Sequence, residues 1–286
     1  MSIVYLNGEY LPIDKAHISV LDRGFMFGDS IYEIIPAYSG QLFRLEQHLQ
    51  RLDRSLKSIR LVNPLTPHEW QQMLQRLLEK NGAGDQSVYL QVTRGVAERD
   101  HVIPPQITPT VFAMCQPMDQ GRKETGVAAV TLTDFRWKRC DIKATTLLPN
   151  VLLRQEADDR GATEAILLRE GRVTEGAASN VFVVLEGVVK TPPKSHLLLP
   201  GITRDFVLEL LASAGIPHQE IEIDKVELRR AEEIWVTSST REIVPVIKLD
   251  DQPVGDGRPG HMWGKVISLY QAHKRAPKNA AAARAS

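Results

Sequence analysis

The reading of this chain turns on RWKRCDIKATTLLPNVL, residues 136–152. It follows VAAVTLTDF, 127–135, whose strand character should leave it mostly buried, and it runs into a helix read at about 150–160 and ended by Gly161. Between strand and helix stands Lys143, with Asp141 before it and Ala144, Thr145 and Thr146 after it. Most lysines are solvated surface charges. Small and hydroxylated neighbours, however, leave room for a ligand. A lysine in a partly desolvated pocket gives up its proton more readily and becomes a nucleophile toward carbonyls.

Upstream of this segment, the first half opens with IVYLNGEYLP, where Asn7-Gly8 between apolar runs predicts a tight hairpin. Leu45, Leu49, Leu52, Leu56 and Ile59 recur at helical period, so 45–60 reads as an amphipathic helix. A second helix carries Trp70, Met73, Leu74, Leu77 and Leu78 on one face and stops at Asn81-Gly82. SVYLQVTRG, 87–95, and PTVFAMC, 109–115, read as strands. The polar, turn-rich 116–126 reads as the link between two halves.

In the second half, hairpins turn at Glu170-Gly171 and Glu186-Gly187, and a helix over about 203–214 stops at Gly215. EEIWVTSSTREIVPVIKL is read as the closing strand. APKNAAAARAS has no apolar face to bury and reads as a disordered tail. Strands and helices are segregated, so the class is α+β. The boundaries are a smaller N-terminal α/β domain over 1–118, a linker over 119–125, a larger domain over 126–275 and a tail over 276–286.

Lys plus Arg equals Asp plus Glu at 35 each, so there is no global basic field to draw nucleic acid or an anionic membrane. No run of about 18 apolar residues exists, so no membrane span is expected. Cys115 and Cys140 stand apart from CxxC or His clusters, which disfavours a metal site and fits a reducing cytoplasm.

Three further pieces carry chemistry. In VTEGAASNVF, Glu175 precedes a small-residue turn and the polar pair Ser179-Asn180. A solvated glutamate on a hairpin is the plainer reading of that piece alone. A carboxylate aimed at a ring nitrogen is the functional one, because it keeps a pyridinium protonated and electron-withdrawing. In LLLPGITRDFVLELL, a Gly-Ile-Thr segment opens a helix whose free N–H groups favour an anion, with Thr203 as N-cap and hydroxyl donor; simple capping is the alternative. Neither GxGxxG nor a P-loop is present. In VTSSTREI, the hydroxyls of Thr237 to Thr240 form either a plain loop or a second set of phosphate donors. Lysine, carboxylate and two hydroxyl-rich turns together make the parts list of a pyridoxal 5'-phosphate enzyme.

At this point a family resemblance is visible. LDRGFMFGDSIYEIIPAYSG, EQHLQRLDRS, the Lys143 segment, EAILLREGRVTEGAASNVF, LPGITRDFV and EEIWVTSSTREIVPV stand in the order found in class IV, or fold type IV, aminotransferases, over nearly the whole chain. The resemblance implies two α/β domains with pyridoxal 5'-phosphate between them. Lys143 matches the lysine that attaches the cofactor and moves the proton, and Glu175 the glutamate at the pyridine nitrogen. Arg51, off the leucine stripe of its helix, matches the phosphate-binding arginine. Ile202, Thr203 and one of Ser239 or Thr240 match further phosphate ligands, and Ala178, Ser179 and Asn180 fall near the ring.

VTRGVAERDH, 92–101, resembles the D-amino acid aminotransferases, in which an arginine and a histidine two residues apart hold the substrate carboxylate with a tyrosine. Here those are Arg99, His101 and Tyr32, a guanidinium and two polar rings suited to a carboxylate clamp; a charged loop tip is the alternative. In that family the Arg and His come from the neighbouring subunit, which implies a homodimer with a shared active site. The implied reaction is ping-pong transfer between D-amino acids of the D-alanine or D-glutamate type and 2-oxo acids, through pyridoxamine phosphate. A branched-chain L-aminotransferase and an aminodeoxychorismate lyase are the alternatives. Pro149-Asn150 departs from the small pair expected in D-amino acid aminotransferases and bears on the pocket wall.

Overall fold

A computed structural model of the chain describes residues 2–118 and 125–275. The expected linker thus falls almost entirely, and the expected tail entirely, outside the described residues. By contacts the chain divides into two units, Met1–Gln120 with Arg136–Leu152 and Ser195–Ile202, and Gly121–Phe135 with Leu153–Lys194 and Thr203–Ser286. The sequence boundaries give 126–275 to one domain, yet 136–152 and 195–202 pack with the first unit. For 143–145 the cause is backbone pairing, described below.

The first unit is built on a six-stranded antiparallel sheet. Its strands are β1 (Ile3–Leu6), β2 (Glu9–Pro12), β3 (Ser30–Tyr38), β4 (Gln41–Leu42), β5 (Gln86–Thr93) and β6 (Thr110–Pro117), in the order β2-β1-β6-β5-β3-β4. Asn7 and Gly8 both take positive φ in the β1–β2 turn, as the Asn-Gly pair predicts. The short helix α1 (Arg23–Phe27) precedes β3. Helices α2 (Leu45–Ser58) and α3 (Pro67–Lys80) bury Leu49, Leu52, Leu56, Trp70, Leu74 and Leu77 against Ile31, Ile35, Val88 and Leu90 of the sheet. Thr66 and Glu69 close a reciprocal capping box ahead of Pro67, which explains the sharp start of α3.

One polar group sits inside this apolar layer. Glu33 shares a face of β3 with Ile31 and Ile35 and is fully buried. An isolated buried carboxylate is costly, so it must be paired. Arg51 of α2 grips it bidentately, with Nε–Oε1 at 2.8 Å and Nη2–Oε2 at 2.7 Å, and His48 Nδ1 lies 2.8 Å from Oε2. Burial pushes Glu33 upward, but the Arg51 charge and the bonds from Arg51 and His48 outweigh it and hold the carboxyl at about 2. Burial, with the charges of Arg51 and Lys143, holds His48 below its usual range against the pull of Glu33. A neutral imidazole donating from Nδ1 fits an acceptor-only carboxylate.

The second unit holds a nine-stranded mixed sheet. Its strands are β7 (Val127–Thr133), β8 (Glu164–Arg169), β9 (Arg172–Gly176), β10 (Asn180–Leu185), β11 (Val188–Thr191), β12 (His218–Glu220), β13 (Glu233–Ser238), β14 (Glu242–Leu249) and β15 (Gln252–Pro253). The order is β12-β11-β10-β13-β14-β7-β8-β9, with β15 on β14. Its helices are α4 (Leu148–Asp159), α5 (Ile202–Ser213), α6 (Lys225–Arg230) and α7 (His261–Arg275), the first residues of α4 and α5 packing with the first unit. The closing strand read over 232–249 is instead the hairpin β13–β14, because Ser239–Arg241 turn the chain and Glu242 takes φ 59°. Helix α5 begins at Ile202, so Thr203 lies within its first turn and is not the N-cap. Helix α7 was not read from the sequence, although Trp263, Val266 and Tyr270 stand at helical spacing and are buried.

Glu33 and His48 both make stability fall with acidification. Below 6.5 the unfolded chain takes up a proton at His48 that the folded chain resists, and below 4.5 it takes up one at Glu33 that the folded carboxyl refuses until about 2. His48→Gln keeps a donor to Glu33 and should flatten the decline in melting temperature that sets in below 6.5; an unchanged pH profile would exclude His48 as its source. Glu33→Gln leaves Arg51 without its buried counter-charge and should destabilise the chain by about 3–5 kcal/mol in denaturant titrations.

Candidate active site

Lys143 is positioned by backbone pairing. Strand β4 is two residues long and covers only the far end of β3. The edge of β3 at Ser30–Tyr32 is taken by 143–145: Tyr32 N donates to Lys143 O at 3.0 Å, Thr145 N donates to Ser30 O at 3.1 Å, and Ile31 bridges Ala144. Lys143 N in turn donates to Ser55 Oγ on α2 at 3.3 Å. The hydroxyls of Ser30 and Thr145 meet, and Thr145 Oγ1 donates to Gly28 O at 3.2 Å. The small and hydroxylated neighbours of Lys143 are thus its fastening.

Held this way, the half-buried Lys143 points its Nζ over the Tyr32 ring, 4.1 Å from the centroid. Tyr32 stacks on Tyr89 at 5.8 Å, and Tyr89 Oη donates to Gln91 Oε1 at 2.8 Å. Burial pushes the Tyr89 hydroxyl up to about 12, so it stays a neutral donor. Arg51 is buried behind β3; besides Glu33 it donates from Nη1 to Pro200 O at 3.1 Å, in the segment that carries the buried Ile202. Tyr32, which meets Lys143, and Glu33, which holds Arg51, point to opposite sides of β3.

Arg99 and His101 lie on the exposed loop between β5 and β6. The loop leaves β5 through Gly95, whose φ is +105° and where a Cβ would lie 2.0 Å from Thr108 O, so only glycine fits. Both side chains gather on Phe27: the Arg99 guanidinium lies 5.5 Å from its ring centroid and the His101 ring 5.4 Å. Among the described residues Arg99 has no carboxylate partner. Neither Arg99 nor His101 hydrogen-bonds Tyr32 within the chain.

In the second unit, Glu175 ends β9 and is buried, as is Asn180 at the start of β10, whose Nδ2 donates to Glu175 Oε2 at 3.3 Å. The turn between them is tight: a Cβ on Gly176 would lie 2.1 Å from Ser179 Oγ. Ser179 Oγ donates to the buried Glu164 at 2.9 Å, and Arg241 pairs with the same carboxylate. Glu164 thereby ties the Glu175 turn to the hairpin turn that bears the half-buried Ser239 and Thr240. Thr203, buried, lies in the first turn of α5.

Thr237 pairs with Asn180 across the sheet, so the two share a face. Its Oγ1 is buried with no hydrogen-bond partner among the described residues. A buried hydroxyl left open on the face of Asn180 fits a polar ligand there, as pyridoxal 5'-phosphate would be. Among the described residues no group of His, Cys, Asp and Glu could hold a metal, and no helix is long and apolar enough to cross a membrane. Glu33, His48 and Glu164 escaped the sequence reading. A charged residue between apolar strand positions, as at Glu33, was the available signal.

Residues 30–249 match the family model of amino-transferase class IV. The chain is 41% identical over 270 residues to a D-alanine aminotransferase of Bacillus licheniformis, covering 94% of this chain and 95% of that one. It is 40% identical over 263 residues to the Staphylococcus haemolyticus D-alanine aminotransferase, covering 91% and 93%. Among solved structures it resembles the branched-chain aminotransferase of Thermoproteus uzoniensis with norvaline, at TM-score 0.86 and 30% identity over 94% and 93% of the two chains. It also resembles the branched-chain amino acid aminotransferase of Escherichia coli, at TM-score 0.87 and 26% identity over 95% and 94%. The family match over residues 30–249 and the relatives at 40 and 41% identity agree: this chain belongs to the class IV, pyridoxal 5'-phosphate-dependent aminotransferases.

Proposed function

We propose that this enzyme moves the amino group of a D-amino acid, of the D-alanine or D-glutamate type, to a 2-oxo acid. The observation that carries this reading is the Arg99–His101 pair, a carboxylate-binding arginine with no internal acid partner among the described residues. The relatives at 40 and 41% identity bear the name D-alanine aminotransferase.

Pyridoxal 5'-phosphate, when bound, supplies an electron-withdrawing ring that spreads the negative charge left at the substrate Cα. Lys143 would hold it and would carry the proton, as general base at Cα and then as general acid. Its backbone bonds to β3 limit how far the side chain must travel. Glu175, held by Asn180, keeps the ring nitrogen protonated, with Ser179 beside it. Arg51, Ile202, Thr203 and Ser239 or Thr240 bind the phosphate. Tyr32, Arg99 and His101 orient the substrate carboxylate and thereby choose which Cα–H faces Lys143. The branched-chain L-reading keeps one specific support, the names of the solved neighbours.

Tyr32 and the Arg99–His101 pair do not meet within one chain, which supports a homodimer in which each copy lends its loop to the other. Ile18, Val20, Phe25, Val96 and Val102 are exposed near that loop. Asp22 bridges Val96 and Ala97 N donates to Leu21 O, so the exposed Leu21 and Val96 lie side by side, an apolar surface of the kind that another copy covers. Both cysteines are free and buried, in keeping with a cytoplasmic setting.

Lys143→Ala should lower transamination by about 10²–10⁴-fold or more while cofactor is still retained on equilibrium dialysis; an active variant would remove Lys143 from the mechanism. Single additions of D-alanine, D-glutamate and L-leucine to the holoenzyme separate the two substrate readings. The visible absorption should fall with the D-amino acids. A fall with L-leucine alone would establish the branched-chain reading instead.

A further inference from the structure

We propose that Arg23 is the positioning residue of the carboxylate clamp: from beneath the loop it fixes Arg99 and His101, and so governs how tightly the enzyme holds a carboxylate. The inference rests on the reading of Arg99 and His101 as that clamp.

The base of the arrangement is rigid. Asp22 is fully buried and accepts from Gly24 N at 2.8 Å, Thr93 Oγ1 at 3.0 Å and Thr110 Oγ1 at 2.7 Å. It thus joins the start of α1 to the ends of β5 and β6. Asp29, just past α1, accepts from Arg23 Nε at 2.9 Å and from Arg94 Nε and Nη2 at 2.7 and 2.9 Å. Arg94 also donates to Ile59 O and Arg60 O at 2.7 and 3.2 Å. Burial works against the charge on Asp29, yet the bonds from Arg94 and Arg23 win and keep its carboxyl below the usual range.

From this base Arg23, itself buried, reaches the loop. Its Nη1 donates to Asp100 O and to Val102 O, the latter at 3.4 Å, so the two carbonyls flanking His101 are held by one guanidinium. Asp100 O is also the carbonyl that follows Arg99. Residues 98–103 are all exposed and belong to no helix or strand. Such a tip is mobile unless something ties it down. Phe27, at the end of α1, completes the support: Arg23 lies 4.9 Å from its ring centroid, against the same ring that carries Arg99 and His101. A lysine could pair with Asp29 but could not bridge one carboxylate and two carbonyls, because only a guanidinium spreads its donors across a plane.

The test compares holoenzymes of Arg99→Ala, Arg23→Met and Arg23→Lys with the native chain at equal cofactor content. The readouts are KM and kcat for D-alanine and the inhibition constant of propionate, which is D-alanine without its amine. Arg99→Ala should raise KM and the propionate constant. Arg23→Met should raise both by about tenfold or more with a smaller change in kcat, since a shift of about an ångström in a positioning group is felt on that scale. A rise with Arg99→Ala but not with Arg23→Met overturns the role of Arg23 and leaves the clamp standing, and so does a loss of kcat with the propionate constant unmoved. No rise with Arg99→Ala overturns the clamp and the proposal with it. Should Arg23→Met fail to fold, Arg23→Lys decides: it keeps a cation beside Asp29 without the fork, so the same KM rise supports the role of Arg23 and native constants overturn it.

Discussion

The uncovered edge of β3 organises the first unit. Strand β4 pairs with β3 only at Ala37 and Tyr38, so the edge at Ser30–Tyr32 needs partners from elsewhere. The segment around Lys143 supplies them with two backbone bonds and a bridge. The pairing satisfies buried peptide groups and at the same time brings a half-buried lysine over Tyr32. This explains why 136–152 packs with strands more than a hundred residues earlier in the chain.

Strand β3 distributes function between its faces. Tyr32 looks toward Lys143 and stacks on Tyr89, whereas Glu33 looks into the helix layer and holds Arg51 and His48. A strand's two-residue period makes that separation automatic. Replacing a buried ion pair by apolar residues often costs little stability. The Glu33–Arg51 pair therefore makes more sense as a device that fixes one guanidinium, and the bond from Arg51 to Pro200 O extends the hold to the segment carrying Ile202. Glu164 plays the corresponding part in the second unit, joining the Ser179 turn to the Ser239–Arg241 turn through one buried carboxylate.

Both units thus use buried acids to hold polar donors in place. Asp29 adds a third case with Arg23 and Arg94. Arg51, Arg23 and Arg94 are buried arginines that apolar packing alone would reject, and the carboxylates of Glu33 and Asp29 offset their charge. The geometry gained is that of a planar fork, which a lysine does not provide.

Residues close together in the chain were enough to specify the elements with strong local signals. The leucine stripe of α2, the apolar face of α3 and the Asn7-Gly8 turn follow from periodicity and backbone preference, which are properties of neighbouring residues. Lys143 and Glu175 stood out as candidates because their small and polar surroundings are adjacent in sequence, and the ordered motifs identified the family. What depends on distant contacts emerged with the folded chain. Folding splits 232–249 into the hairpin β13–β14, forms α7, and places 143–145 on the edge of β3. It also makes anchors of the carboxylates of Glu33, Glu164 and Asp29. The arginine that meets such a buried acid lies far off in the chain, 18 positions from Glu33 and 77 from Glu164, so neighbouring residues do not reveal the pair.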